Sequence, residues 1–173
     1  MEAIVPSIIE RKMNLMNDST NALAVANNSM LSTNLFGGEG TTQTKRVTSL
    51  NLNNENDSDI LLNSLDNIDF RLNDEVETDI PVKGYIITER TTEAVDEVSG
   101  EVYNKKDYTT ILVDTNNQTH VTGSNAFYYS LVNIIAFKGV PSEENIITIR
   151  PIKVEAKEKG HSFLKAKYIK KGE

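Results

Sequence analysis

The sequence predicts a mainly β domain with one helix, in the order β-β-β-α-β-β, behind a flexible or partly helical acidic N-terminal segment. Three observations predict it. Between Val82 and Ile169, five short runs rich in β-branched and aromatic residues are separated by turn residues. One stretch in that half, opening at Ser124, has helical spacing. Ahead of it, residues 1–57 are polar and repeat Asn at positions such as Asn27, Asn28, Asn51, Asn53 and Asn54. The expected organisation is therefore a weakly ordered arm over 1–57, a short helix and lead-in over 58–80, and a β domain over 81–171.

Each element has a local reason. Ile8, Ile9, Met13, Leu15 and Met16 suit one short amphipathic helix in the arm, and Phe36 to Thr44 has linker composition. Ser58 or Asp59 is placed to cap a helix through Ile60, Leu61, Leu62 and Leu65. Val82 to Arg90 reads as the first strand and Tyr108 to Asp114 as the second, with 93–104 a polar connecting loop that turns at Ser99-Gly100. Asn116-Asn117 reverses the chain, because Asn tolerates positive φ, and Gln118 to Thr122 makes the third strand. Ser124 caps the helix; Phe127, Leu131, Ile134 and Ile135 fall on one face of it, and Gly139 and Pro141 end it. Ile146 to Val154 is the fourth strand, where Pro151 implies an edge or a bulge. After a turn over 157–160, His161 to Ile169 is the fifth. A five-stranded Greek-key barrel with a helix between strands three and four has this order; it is the OB-fold, although other small α+β sheets share the order.

Composition narrows the chemistry. The chain has 173 residues, 38% apolar and 6% aromatic, no Cys and two His, His120 and His161. Thiolate metal sites, disulfides and Cys nucleophiles are excluded, and no metal or cofactor is expected. No apolar run is long enough to span a bilayer, and the first residues lack a basic region followed by an apolar core, so neither membrane contact nor a secretory signal is expected. The net charge of −7 is uneven. Residues 1–80 hold 5 Lys/Arg against 13 Asp/Glu, whereas residues 150–173 hold 8 against 3. An acidic arm thus precedes a domain with a basic end, which hints at polyanion contact.

The last strand carries the sharpest signal. Alternate side chains of a strand share a face. Ser162, Leu164, Ala166 and Tyr168 form one face, suited to a core; His161, Phe163, Lys165, Lys167 and Ile169 form the other. Rings beside ammonium groups are what single-stranded nucleic acid requires, since rings stack on bases and cations track phosphates. Lys153, Lys157 and Lys159 extend the positive strip. Tyr85, between Lys83 and Ile87, resembles the same pattern, and Tyr103 lies beside Lys105 and Lys106 in the first connecting loop. The candidate nucleic-acid contacts are therefore Lys83, Tyr85, Tyr103, Lys105, Lys153, Lys157, Lys159, Phe163, Lys165 and Lys167. No catalytic residue is expected: there is no phosphate-binding glycine loop, nucleophile elbow or His pair. Asp96, Glu97, Glu101, Asp107 and Asp114 lack a metal-loop spacing and read as solvated carboxylates.

Residues from about Leu50 to Ile169 resemble the single-stranded DNA-binding proteins encoded by bacteriophages of Gram-positive bacteria. The resemblance rests on a succession of elements: Leu61 to Asn67, Ile80 to Ile86, Thr110 to Asp114, Val121 to Ser124, Ile147 to Val154, and Phe163 to Ala166 after a basic turn at Gly160. It implies an OB-type fold and non-enzymatic, cooperative coating of single-stranded DNA during phage replication, in the cytoplasm of the infected host. The implied partners are single-stranded DNA, replication proteins of the phage, and further copies along the strand. The first 50 or so residues have no counterpart, and the acidic part is N-terminal, where many such proteins carry a C-terminal acidic tail. The alternative is a virion or adaptor β-barrel domain that binds protein; exposure of Phe163, Lys165 and Lys167 together separates the two.

Overall fold

The computed structural model describes residues 31–32, 43–64, 66–156 and 161–170. Their elements are β1 (Leu31–Ser32), β2 (Gln43–Thr48), α1 (Glu55–Asn63), β3 (Phe70–Arg71), β4 (Ile80–Val95), β5 (Val102–Asp114), β6 (Thr119–Thr122), α2 (Asn125–Lys138), β7 (Ile147–Glu155) and β8 (Ser162–Ile169). The helix expected around Ile8 to Met16 lies outside the described residues. The strands form one mainly antiparallel sheet that curls into a half-barrel around β4.

The strand order explains the curl. One edge of β4 is lined throughout by β5, from Val82↔Asp114 to Val95↔Val102. The other edge is shared: Ile80 to Val82 pair with β7, and Ile86 to Thr91 pair with β2. A bulge between Val82 and Gly84 bends β4 between these two sets of partners. β6 continues the sheet beyond β5, and β8 continues it beyond β7. β6 and β8 thus end on opposite margins, and no ladder joins them among the described residues.

Two apolar clusters hold the sheet from its two sides. On the concave side, Tyr85, Ile87, Tyr108, Leu112, Ile149, Leu164 and Ala166 meet Phe127, Leu131 and Ile135 of α2. Removing such side chains from water is the main stabilising contribution, about 1.5–3 kcal/mol for each large one. On the convex side, Ile86, Ile111 and Val113 meet Leu50 and Leu61, which brings α1 down on the outer surface. The runs Tyr85-Ile86-Ile87 and Ile111-Leu112-Val113 are apolar at consecutive positions because both faces of the sheet are covered there.

The expected elements recur with local corrections. Ser124 caps α2, its Oγ accepting from Phe127 N; Gly139, at φ 83°, ends it. Asn117 has the positive φ expected at the reversal, and the Asp114 carboxylate accepts from Asn116 N and Gln118 N at 2.8 Å each. Pro151 sits where β7 has left β4 and where the opposing Ala166 directs its N–H to Ser130 Oγ, so no ladder donor is required of it. Three boundaries differ from expectation. α1 begins at Glu55 behind the cap Asn54, whose side chain accepts from Asn56 N, rather than at Ser58 or Asp59. β2, in a stretch expected to be arm and linker, pairs with β4 over six positions, so the β domain takes in residues well before 81. Half of the residues expected to be a loop over 93–104 are strand, and the turn shrinks to Asp96–Glu101.

A strap over residues 66–79 closes the β6 margin. β3 runs parallel to β6, Leu72 is fully buried, and Asp69 accepts from both N and Oγ1 of Thr119 at 2.8 Å. His120 is buried beneath it, stacked on Phe70, and a 2.7 Å hydrogen bond joins its Nδ1 to Glu75 Oε2.

Candidate nucleic-acid interface

The ten candidate residues divide into four groups. The first is β8. Leu164 and Ala166 are buried while Lys165 and Lys167 are exposed, and Phe163 is half-buried on the lysine face. Cross-strand register adds Val154, Ile152 and Arg150 of β7 to that face. The Lys165 ammonium lies 5.3 Å from the centre of the Phe163 ring, a cation–π distance. Arg150 is bound to Asp79 through Nε at 2.6 Å, and this pairing holds the Asp79 carboxyl below its usual range. Neither Lys165 nor Lys167 makes an ion pair among the described residues. This face therefore offers one ring, the ammonium groups of Lys165 and Lys167, the second within electrostatic reach of Asp79, and an apolar floor.

The second group is the far end of β4 and β5. Past Thr91, among the described residues, these strands continue as a two-stranded ribbon beyond β2. Tyr103 and Lys105 are both exposed and share a face, opposite Ala94 and Thr92. Lys105 is partly neutralised by Asp107 at 3.3 Å. Register places Arg90 on the same face as Lys105, and Arg46, whose Nε approaches Thr88 Oγ1 at 3.4 Å, extends it onto β2. Arg46 and Arg90 were not among the expected contacts. The signal for Arg90 was its two-residue spacing from Thr88 and Thr92; Arg46 had none, since its strand is fixed by a distant partner. Between this surface and the β7–β8 face, the convex side carries Leu50 and α1.

Lys153 forms the third group. It stands opposite Leu164 and so lies on the reverse face from Phe163 and Lys165, a correction to the single strip expected. It is exposed, and it lines a cleft of about 490 Å³ with Asn73, Thr122, Gly123, Ser124 and Phe163. This cleft marks the open margin between β6 and β8, where Ser124 Oγ donates to Leu164 O at 2.9 Å. Lys157 and Lys159 lie outside the described residues.

The fourth group is withdrawn from the surface. Tyr85 is fully buried in the concave cluster, and desolvation pushes its phenol up to about 12. It is in no position to stack on a base. Lys83 falls in the bulge and does not share a face with Tyr85. It is 9% exposed, with its ammonium 3.6 Å from Asp57 and 3.4 Å from Glu143. Its charge ties α1 and the loop after α2 to β4. Both corrections have one cause: β4 is covered on both faces over this stretch, so neither face is open.

A further aromatic group lies at the rim of the concave side. Tyr108 and Tyr128 stack with centroids 3.7 Å apart, and exposed Tyr129 meets both edge-on. Desolvation raises Tyr108 and Tyr128, and the neighbouring Glu89 carboxylate raises them further. The packing reads as a core finished at its edge. Among the described residues no group of His, Asp or Glu is arranged to hold a metal ion, and no helix is long and apolar enough to cross a membrane.

No protein-family model matches the chain, and neither the curated proteins nor the solved structures contain a significant match.

Proposed function

We propose that the chain is a non-enzymatic single-stranded DNA-binding protein, coating DNA without sequence preference through the convex surface of an OB-like half-barrel. The observation that carries this reading is the joint display of Phe163, Lys165 and Lys167 on one face of β8, above an interior of Leu164 and Ala166. In mechanism, the two ammonium groups displace counterions from phosphates and the ring stacks on a base. Stacking contributes about 1–3 kcal/mol per base and accepts any base, so the surface has no need of base-edge readout. Arg46, Arg90, Lys105 and Tyr103 supply a second contact region of the same chemistry, and Lys153 reaches the backbone from the cleft side.

The OB-type assignment rests on β4 to β8 with α2 between β6 and β7, in the sheet order β6-β5-β4-β7-β8. The resemblance to phage-encoded single-stranded DNA-binding proteins implies that the activity serves phage replication within the bacterial cytoplasm, in company with replication proteins. A second reading, a virion or adaptor domain that binds protein, is favoured by one feature: the apolar tip of the β4–β5 ribbon, where Val98 is 98% exposed. Fluorescence anisotropy of a labelled poly-thymidine oligonucleotide, with a duplex control, separates the two. Salt-sensitive binding to the single strand and little to the duplex is the expected result. No binding at low salt would leave the protein-binding reading.

A further inference from the structure

We propose that the tip of the β4–β5 ribbon docks on the outer β7–β8 face of a second copy of this chain, joining copies head to tail. Among the described residues, the ribbon from Thr92 to Lys105 pairs only between its own two strands, since β2 begins at Gln43, opposite Thr91. Such ribbons are marginal in water. This one also exposes apolar side chains at its end: Val95 and Val102 are cross-strand partners, 61% and 67% exposed, and Val98 crowns the turn. A projecting apolar tip of this kind marks a contact surface.

Charge selects the partner. Asp96, Glu97 and Glu101 surround the valines, and residues 91–104 contain no Lys or Arg. The Asp96 carboxylate accepts from Val98 N and Ser99 N, which lowers its pKa and keeps it ionised. Two tips placed together would oppose like charges, so a symmetric tip-to-tip pairing is disfavoured. The β7–β8 face has the complementary character. Ile152, Val154 and Phe163 form a half-buried apolar floor, and Lys165 and Lys167 stand beside it without ion pairs among the described residues. Apolar tip meets apolar floor, and carboxylates meet ammonium groups. Because tip and face are different surfaces, the contact does not close on itself and copies add in an open chain. The contact draws on the same Phe163, Lys165 and Lys167 that the proposed function gives to DNA, so a second copy and a single strand compete for this face; the association itself is tested without nucleic acid.

The test is sedimentation velocity of the full chain at low salt from micromolar to submillimolar concentration. The sedimentation coefficient should rise with concentration without levelling at a dimer. A tip variant (Val95→Ser, Val98→Ser, Val102→Ser) and a face variant (Lys165→Glu, Lys167→Glu) should each remain monomeric. Mixed, they should form a one-to-one complex and nothing larger, because each retains one intact half of the contact. Val98→Ser alone, at a position with almost no neighbours to disturb, should weaken association about tenfold, the transfer value of one valine side chain. A wild-type chain that stays monomeric, one that stops at a closed dimer, or a variant mixture that stays monomeric overturns the proposal.

Discussion

Replacing Asp57 by Ala probes how Lys83 is held. Asp57 lies on α1 and is 6% exposed. Its Oδ2 accepts from Asn51 N at 2.9 Å, and its Oδ1 stands 3.6 Å from the Lys83 ammonium with no other hydrogen-bond partner among the described residues. At that separation the gross attraction is about 4–5 kcal/mol for an effective dielectric of 20, before desolvation is subtracted. Asp57→Ala leaves Lys83 buried with only Glu143, which is 69% exposed and a weak partner. Breaking a buried pair from one side costs about 3–5 kcal/mol, and the lost bond to Asn51 N falls within that range. Lys83→Met keeps the volume but leaves the Asp57 carboxylate buried without its cation, for about 3–5 kcal/mol by the same rule. The double variant should cost less than the sum, by about 2 kcal/mol, because neither buried charge is then left alone. Urea denaturation of the four proteins gives the cycle, with unchanged slopes as the condition for reading it. A coupling below about 0.5 kcal/mol would mean that the two residues act independently. That result would contradict the Asp57–Lys83 pair as the tie between α1 and β4.

Three further outcomes follow from the same geometry. Asp69 is held below its usual value of 3.8 chiefly by the Thr119 N–H and hydroxyl, so its contribution is present above that value and lost as pH falls through the lower folded one; the urea midpoint should drop in acid below about pH 4, less steeply for Asp69→Asn, and parallel curves would contradict the assignment. Tyr85 is raised from 10.0 to about 12, so the stability it contributes is complete below pH 10 and lost as pH rises toward 12; ultraviolet titration should show a late ionising phase that coincides with alkaline unfolding and loses one equivalent in Tyr85→Phe. A Cβ on Gly84 would fall 2.5 Å from Leu50 Cδ2, so Gly84→Ala should cost about 1–2 kcal/mol by urea denaturation, less than Gly84→Val, since the methyl end of Leu50 can turn aside from the smaller group.

What the sequence disclosed and what it withheld differ in range. The inward Leu164 and Ala166, the outward Lys165 and Lys167, the Ser124 cap and the Asn117 reversal are all set within a few residues, by alternation, capping and backbone preference. Those features were legible, and the β8 face survives intact in the structure. β2 was not, because Arg46 and its neighbours become a strand only by pairing with β4 some forty residues away. The ribbon was missed because it is exposed on both faces, so its residues show no alternation to read. Lys83 and Tyr85 were misplaced for two reasons. The bulge at Val82/Gly84 breaks the period of two, and α1 covers the outer face, which was expected to be open. The apolar triplets Tyr85-Ile86-Ile87 and Ile111-Leu112-Val113 carried that second message, since a strand with one wet face does not need three successive apolar residues.

The central claim is that Lys165 and Lys167 meet phosphates of a single strand. The direct measurement is the dependence of poly-thymidine affinity on salt concentration, compared between the wild-type chain and Lys165→Ala/Lys167→Ala. Each phosphate neutralised on a single strand contributes about 0.7 to the slope of log affinity against log salt. The variant's slope should be shallower by about 1.4, with weaker binding at low salt and an unchanged thermal melt. A variant that binds with the same slope and affinity as the wild type would contradict that claim.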